Sequence, residues 1–341
     1  MDLKKALPFP RKNNFEWLRL LFAMQVLIEH SASHLGYSIP EIIKHFPGVP
    51  AFFFVSGFLI YASYLNAPGF RYYQNRFLRV FPGLFFVTMG GFGVVVASKG
   101  LGFVSENLSS CLIWFLAQIS LGQAFNPSLF RDIGVGVING ALWTITTEII
   151  FYLIVPLVVL MEKGFRHTVL LLSLISLFVY IFGPQFLTES IYRDKTLYDI
   201  FALTPIVWGW MFGLGILAVK YFEKIKPVLP YFWWFILPMI PMILFGDGVV
   251  WGSAGNNIGI AYFICYLSVV LWIAFVIPHF NLPFDLSYGL YVWHMPVINL
   301  LLVFNLQSLW VAITLTSLFA TTSWFLVEKP MLKLKRSSLK S

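Results

Sequence analysis

The chain predicts an all-α fold, a polytopic transmembrane helical bundle with about 10 crossing helices and one further, re-entrant segment. Three observations point there. Only 11% of the residues are charged and 59% are hydrophobic, whereas about a quarter of a soluble domain is charged. Apolar runs close to the ~20 residues that a helix needs to span a bilayer recur from end to end. The 12 Trp and 15 Tyr are the amphipathic rings that collect at membrane–water interfaces.

In order, the apolar segments cover 16–35, 48–65, 80–98, 108–124, 141–161, 168–184, 200–220, 229–246, 258–277, 286–304 and 309–327. The fourth, LSSCLIWFLAQISLGQA, is short, contains Ser and Gln, and leads into a Gly-rich loop. If it does not cross, ten crossings remain and both termini share one side. The basic residues then sort. Eighteen of the 23 Lys and Arg fall on the side of the termini, and Lys44, Lys99, Arg131, Arg193 and Lys195 fall on the other. The richer side is cytoplasmic by the positive-inside rule. Letting 108–124 cross reverses every later loop and destroys the sorting. The net charge of +8 is thus a topology signal and calls for no nucleic acid.

The domain reading follows: a cytoplasmic segment 1–14, a single membrane domain 15–330 and a basic cytoplasmic tail 331–341. The longest connection, about 124–140, is too short for a separate core. Cys111 and Cys265 sit in apolar context and read as buried thiols. No metal-ligand spacing, P-loop, dinucleotide fingerprint or GxSxG occurs.

Four polar clusters interrupt the apolar segments, at a cost of about 3 kcal/mol upward for a charge at mid-bilayer. In the first segment Arg19 and His30 are 11 residues apart, which puts them about 20° apart on a helix and roughly 16 Å apart along it. Singly they read as a snorkelling Arg and a hydrogen-bonded His; together they read as one polar face. Arg76 and Arg79 share a face at i, i+3. They read either as positive-inside flanks or as a forked site for phosphates. Glu148 lies in an apolar helix with Thr144 one turn before it, and an intramembrane carboxylate favours function. Tyr288, Tyr291 and His294 recur at i, i+3, i+6, as a packing face or as a site, and Pro296 should bend that helix. Ser56-Gly57, inside a span, reads as close helix packing.

The order of these signals is Arg-x10-His, then FFFVSGF, Arg-x2-Arg-x2-Pro, LWTxxxE, LSYGLYxWH and a terminal VEKP. It resembles the bacterial membrane acyltransferase-3 family over about Phe15 to Pro330. The resemblance implies a helical domain of about ten spans in the inner membrane, acyl-CoA (usually acetyl-CoA) as donor, and a surface or lipid-linked polysaccharide as acceptor. It implies His30 as the catalytic residue and Glu148 as the acidic one. It also implies Arg19, Arg76 and Arg79 on the donor side, and Trp143, Tyr288 and His294 near the substrate. Glu328 falls in the terminal Glu-Lys-Pro turn, which can be purely structural. Some members carry a further extracellular domain after the spans, and an acyl-relay partner for this chain is expected to be separate or unnecessary.

The chemistry is coherent on the residues alone. O-acylation needs a base for the attacking hydroxyl, and His has the right intrinsic pKa. A carboxylate such as Glu148 or Glu29 can orient that base, with His30 expected as the partner of Glu148 and His294 as the alternative. Whether His30 acts as base or carries the acyl group stays open. The rival reading is a transporter or flippase of a glycan intermediate, since intramembrane Arg, Glu and His also mark substrate paths. A non-catalytic assembly subunit is a third.

The ten-crossing topology predicts that single cysteines placed in 99–107 and in 125–139, on a background without Cys111 and Cys265, label from the same, outer side. Opposite-side labelling overturns the topology.

Overall fold

The computed structural model describes residues 9–123, 125–192 and 195–337. Lys4, Lys5, Arg193 and Lys340 of the charge count lie outside the described residues, as do the ends of the predicted terminal segments. Every predicted apolar segment contains a helix. The helices are α1 Phe15–Leu35, α2 Gly48–Asn66, α3 Phe70–Glu106, α4 Leu108–Leu121, α5 Trp143–Gly164 and α6 Thr168–Phe186. They continue with α7 Pro205–Lys220, α8 Ile236–Phe245, α9 Ile260–Phe275, α10 Ser287–Val303 and α11 Leu309–Ser323. A π-helical turn, Trp324–Glu328, joins α11 to α12, Lys329–Ser337. Short strands Ser190–Tyr192 and Lys195–Thr196 pair antiparallel in a connection.

The fold is a helical membrane bundle. Among the described residues, six helical segments are long and apolar enough to cross, and α4, α7, α9 and α10 are shorter apolar helices. The 21-residue α1 has the length but not the apolarity, because Glu16, Arg19, Glu29 and two histidines interrupt it. The 14-residue α4 is about 21 Å long, shorter than a ~30 Å hydrocarbon core, as are the 16-, 16- and 17-residue α7, α9 and α10.

Several boundaries differ from the sequence reading, each for a local reason. α3 begins at Phe70, well before position 80, so Arg76 and Arg79 lie inside it. It breaks at Gly100, whose φ of 81° and ψ of 166° are not helical. α7 starts at Pro205 behind the N-cap Thr204, whose hydroxyl accepts from Ile206 N, and not at 200. The segment ahead of α8 opens as a 3-10 helix, Lys226–Phe235, where Pro227 and Pro230 lack the N–H that an α-helix needs. α10 stays helical through Pro296.

By its internal contacts the chain divides into two compact units, interleaved in sequence. The first takes in the chain through Phe22, Glu41–Tyr72 and Thr147–Leu282; the second takes in Ala23–Pro40, Tyr73–Thr146 and the chain from Pro283 onward.

In the first unit, α2 and α7 meet backbone to backbone. A Cβ at Gly57 would stand 2.0 Å from the Phe212 carbonyl oxygen, and one at Gly215 would stand 2.1 Å from that of Phe54. Lipid tails are as apolar as Leu, so helices in a bilayer gain from close packing and hydrogen bonds more than from apolar burial. Gly57 therefore serves packing, as its place in a span implies. Polar ties complete the unit. Glu162 accepts from the Tyr61 hydroxyl at 2.9 Å and pairs with Lys220. The buried Asn14 donates to the carbonyls of Ile273, Ile277 and Pro278 at 3.0, 3.0 and 3.2 Å, satisfying groups that the end of α9 leaves without helical partners.

In the second unit α10 is the central element. Every residue from Ser287 to Asn299 is buried. Small residues let its neighbours close in. A Cβ at Gly90 would meet the Trp293 ring at 2.3 Å, and one at Gly289 would meet Ala320 at 2.9 Å. Trp293 in turn stacks on Phe319, with centroids 4.8 Å apart.

Gly57→Ala and Gly215→Ala are expected to destabilise the protein by about 1–3 kcal/mol or more through overpacking. Gly93→Ala, where nothing lies within 4 Å of the added methyl, should be neutral or mildly stabilising. Thermal loss of the monodisperse, fluorescently tagged protein in detergent checks this; equal melting of all three overturns the backbone-contact account.

Candidate active site

The buried helix α10 carries Tyr288, Tyr291, His294 and Asn299, and each needs a hydrogen-bond partner where water is absent. Four different segments of the second unit supply them. Tyr288 donates to the Val80 carbonyl of α3 at 2.9 Å. The Tyr291 hydroxyl meets Thr144 Oγ1, at the start of α5, at 2.8 Å. His294 Nε2 lies 2.9 Å from His30 Nδ1 of α1. Asn299 accepts from Val135 N at 2.8 Å and donates to the carbonyls of Val137 and Ile138, both at 2.9 Å.

The histidine pair is the chemically distinctive member. His294 is fully buried and His30 half-buried; the rings lie 5.0 Å apart, tilted by 56°. The His34 ring stands 6.1 Å from that of His30, edge on, and the Tyr291 ring 5.9 Å from that of His294. One facing nitrogen must hold the proton and the other must accept it. His294 Nδ1 is buried and makes no hydrogen bond. With the proton of the pair on His30 Nδ1, His294 Nε2 is the acceptor and His30 Nε2 keeps a lone pair. The sequence pairs His30 with Glu148, whereas the structure gives His30 the partner His294 and gives Glu148 the Tyr152 hydroxyl.

The other predicted residues are placed as follows. Arg19 is half-buried on α1, and Trp143 is half-buried at the start of α5. Arg76 and Arg79 are half-buried on α3, and Arg79 Nη2 donates to Asp285 Oδ2 at 2.6 Å. Tyr288 is a buried clasp, its ring against Gly83, where a Cβ would sit 2.6 Å from Cε1. Glu328 is buried in the π-helical turn and accepts from Ser323 Oγ at 2.9 Å. Glu29 accepts from Gln25 at 2.6 Å.

Two residues escaped the sequence reading. Asp285 left a signal, an Asp two positions before a helix-starting Ser, the spacing at which an Asp side chain accepts from the backbone N–H two residues on. Asn299 left none, since a polar residue on an apolar helix does not name the loop it will hold. That loop also carries Asp132 outside the spans, and Lys99 holds its carboxyl below the usual carboxylate range, mainly through the hydrogen bond between them.

Comparison with known proteins gives three findings. The acyltransferase-3 profile, described as an acyltransferase domain, matches residues 12–328. Nodulation protein 10 of Rhizobium leguminosarum bv. viciae is 28% identical, over 96% of this chain and 95% of that protein. The O-acetyl transferase of Shigella phage Sf6 is 26% identical, over 94% and 96%. No solved structure matches the chain.

Proposed function

Because the chain belongs to the acyltransferase-3 family, and is thus a membrane O-acyltransferase, we propose that its donor is acyl-CoA and its acceptor a polysaccharide hydroxyl. Acetyl is the favoured group, supported by the name of the phage relative. The proposed acceptor is a lipid-linked or cell-surface sugar. The proposed setting is a bacterial cytoplasmic membrane with both termini inside, supported by the sorting of Lys and Arg.

The observation that carries this reading is the His30–His294 hydrogen bond. A base that removes a hydroxyl proton must present a lone pair and must be held while it becomes a cation. Held through Nδ1–H, His30 offers Nε2 to the acceptor hydroxyl. As the hydroxyl oxygen attacks the thioester carbonyl, its proton passes to Nε2. The C–S bond then breaks, and the CoA sulfur leaves as thiol with the proton from Nε2. His294 Nε2 accepts throughout, and so steadies the imidazolium as an orienting acceptor does in a hydrolytic triad. Arg76 and Arg79 are the proposed contacts for the donor phosphates, with Arg79 shared with Asp285. Glu148 is proposed to act on the acceptor side, and Trp143 to line it.

His30→Ala is expected to cost about 10²–10⁴-fold in transfer, the usual worth of a general base, while the protein still accumulates in the membrane. Release of free CoA from acetyl-CoA in the presence of acceptor glycan measures it. Near-normal release by the variant removes His30 from the chemistry, and no release by the wild type favours a transporter.

Arg76→Ala is expected to raise KM for acetyl-CoA several-fold with a smaller change in kcat. Arg76→Lys should recover only part, because an ammonium lacks the planar fork. An unchanged KM returns Arg76 to a topology role.

A further inference from the structure

One turn of α3 grips the start of α10 in three places. Asp285 Oδ2 accepts from Arg79 Nη2 at 2.6 Å. The other oxygen of the same carboxylate, Oδ1, accepts from Ser287 N at 3.1 Å and from Ser287 Oγ at 2.5 Å. Val80, next to Arg79, gives its carbonyl to Tyr288 at 2.9 Å. Gly83, one turn on, leaves the room that the Tyr288 ring fills. Asp285 binds both sides, α3 through one oxygen and the first turn of α10 through the other. The side chains of Arg79 and Asp285 keep only 16% and 13% of their exposure, so water competes little for the pair.

α10 is buried from Ser287 to Asn299 and carries His294 as on a rod. His294 stands seven residues beyond Ser287, about 10.5 Å along the axis, so a shift or rotation at the clamp is carried to the His294 ring. The 2.9 Å contact with His30 tolerates a change of only a few tenths of an ångström before hydrogen-bond geometry is lost. We infer that Asp285 is a positioning residue for acyl transfer: it sets α10 so that His294 Nε2 meets His30 Nδ1. The inference rests on the reading of His30 as the base. It explains why a carboxylate stands between a helix-starting Ser and an arginine that a donor phosphate also attracts. Asp285 acts on the turnover step through the histidine pair and does not serve to bind the donor.

Inverted membrane vesicles holding the full chain and the host's own acceptor glycans, supplied with radiolabelled acetyl-CoA, provide the test. Asp285→Asn keeps an oxygen for the Ser287 N–H and hydroxyl but loses the charge facing Arg79. It should lower kcat at least tenfold and change KM for acetyl-CoA less than threefold, with Asp285→Glu recovering part of the loss. His294→Ala should also lower kcat. The double variant D285N/H294A should be within about twofold of H294A alone, because both changes disable the same hydrogen bond.

Full kcat in D285N overturns the inference. So does a loss that multiplies with that of H294A, and so does a change confined to KM, which would make Asp285 a competitor of the donor for Arg79. If D285N does not accumulate, Ser287→Ala removes one strand of the clamp and should show a smaller kcat loss with the same non-additivity; independent, multiplying losses there overturn the inference as well. Absence of label transfer by the wild type overturns the acyl-transfer reading and this inference with it. Transfer by the wild type with full kcat in D285N overturns the inference alone.

Discussion

A helix buried away from lipid and water leaves its polar side chains to find their partners within the protein. α10 is buried from Ser287 to Asn299, yet it includes two tyrosines, a histidine and an asparagine. In a medium without water each orphaned group costs several kcal/mol, so these side chains dictate what surrounds them. Tyr288 calls in α3, Tyr291 the start of α5, His294 the helix α1, and Asn299 the loop before α5. The second unit is organised around that requirement, and its chemistry is one instance of it. The same need for a partner that places a histidine beside His294 also leaves one imidazole nitrogen of His30 outside the bond.

Helix-by-helix architecture was legible because membrane insertion writes it as long apolar runs, and each of the eleven runs holds a helix. Boundaries were legible where a cap or a proline marks them and not elsewhere. The start of α3 was missed because Arg71, Arg76 and Arg79 make the first turns look like a connection, although long basic side chains sit readily on a helix. Candidate chemistry was legible too, since Arg, Glu and His inside apolar helices are expensive enough to stand out. Partner choice was not. His30 and His294 are 264 residues apart, and their periodicities say which face each occupies but not which faces meet. A buried carboxylate is the habitual partner for a histidine, and that habit favoured Glu148. What the fold provides instead is a second imidazole, which costs less to desolvate than a charge.

The first unit answers the same medium differently. Its α2–α7 contact relies on Gly57 and Gly215, whose missing side chains bring backbones to van der Waals range. The energy there comes from dispersion over a close surface, and the polar ties, Glu162 with Tyr61 and Lys220, sit toward the helix ends. Glycine contacts and buried hydrogen bonds thus both serve in each unit. The acyltransferase profile spans both units, from residue 12 to 328.

The grip of Asn299 on the loop before α5 bears on how that loop can evolve. Three hydrogen bonds fasten residues 135, 137 and 138 to one carboxamide. Gly134, at φ 55°, passes so close that a methyl group would overlap the carboxamide oxygen at 1.9 Å. A loop held in that manner is fixed. Its backbone cannot swing aside without breaking all three bonds. Change has to be carved into its outward side chains, such as the exposed Arg131 and Asp132, one residue at a time, with the backbone left where it is.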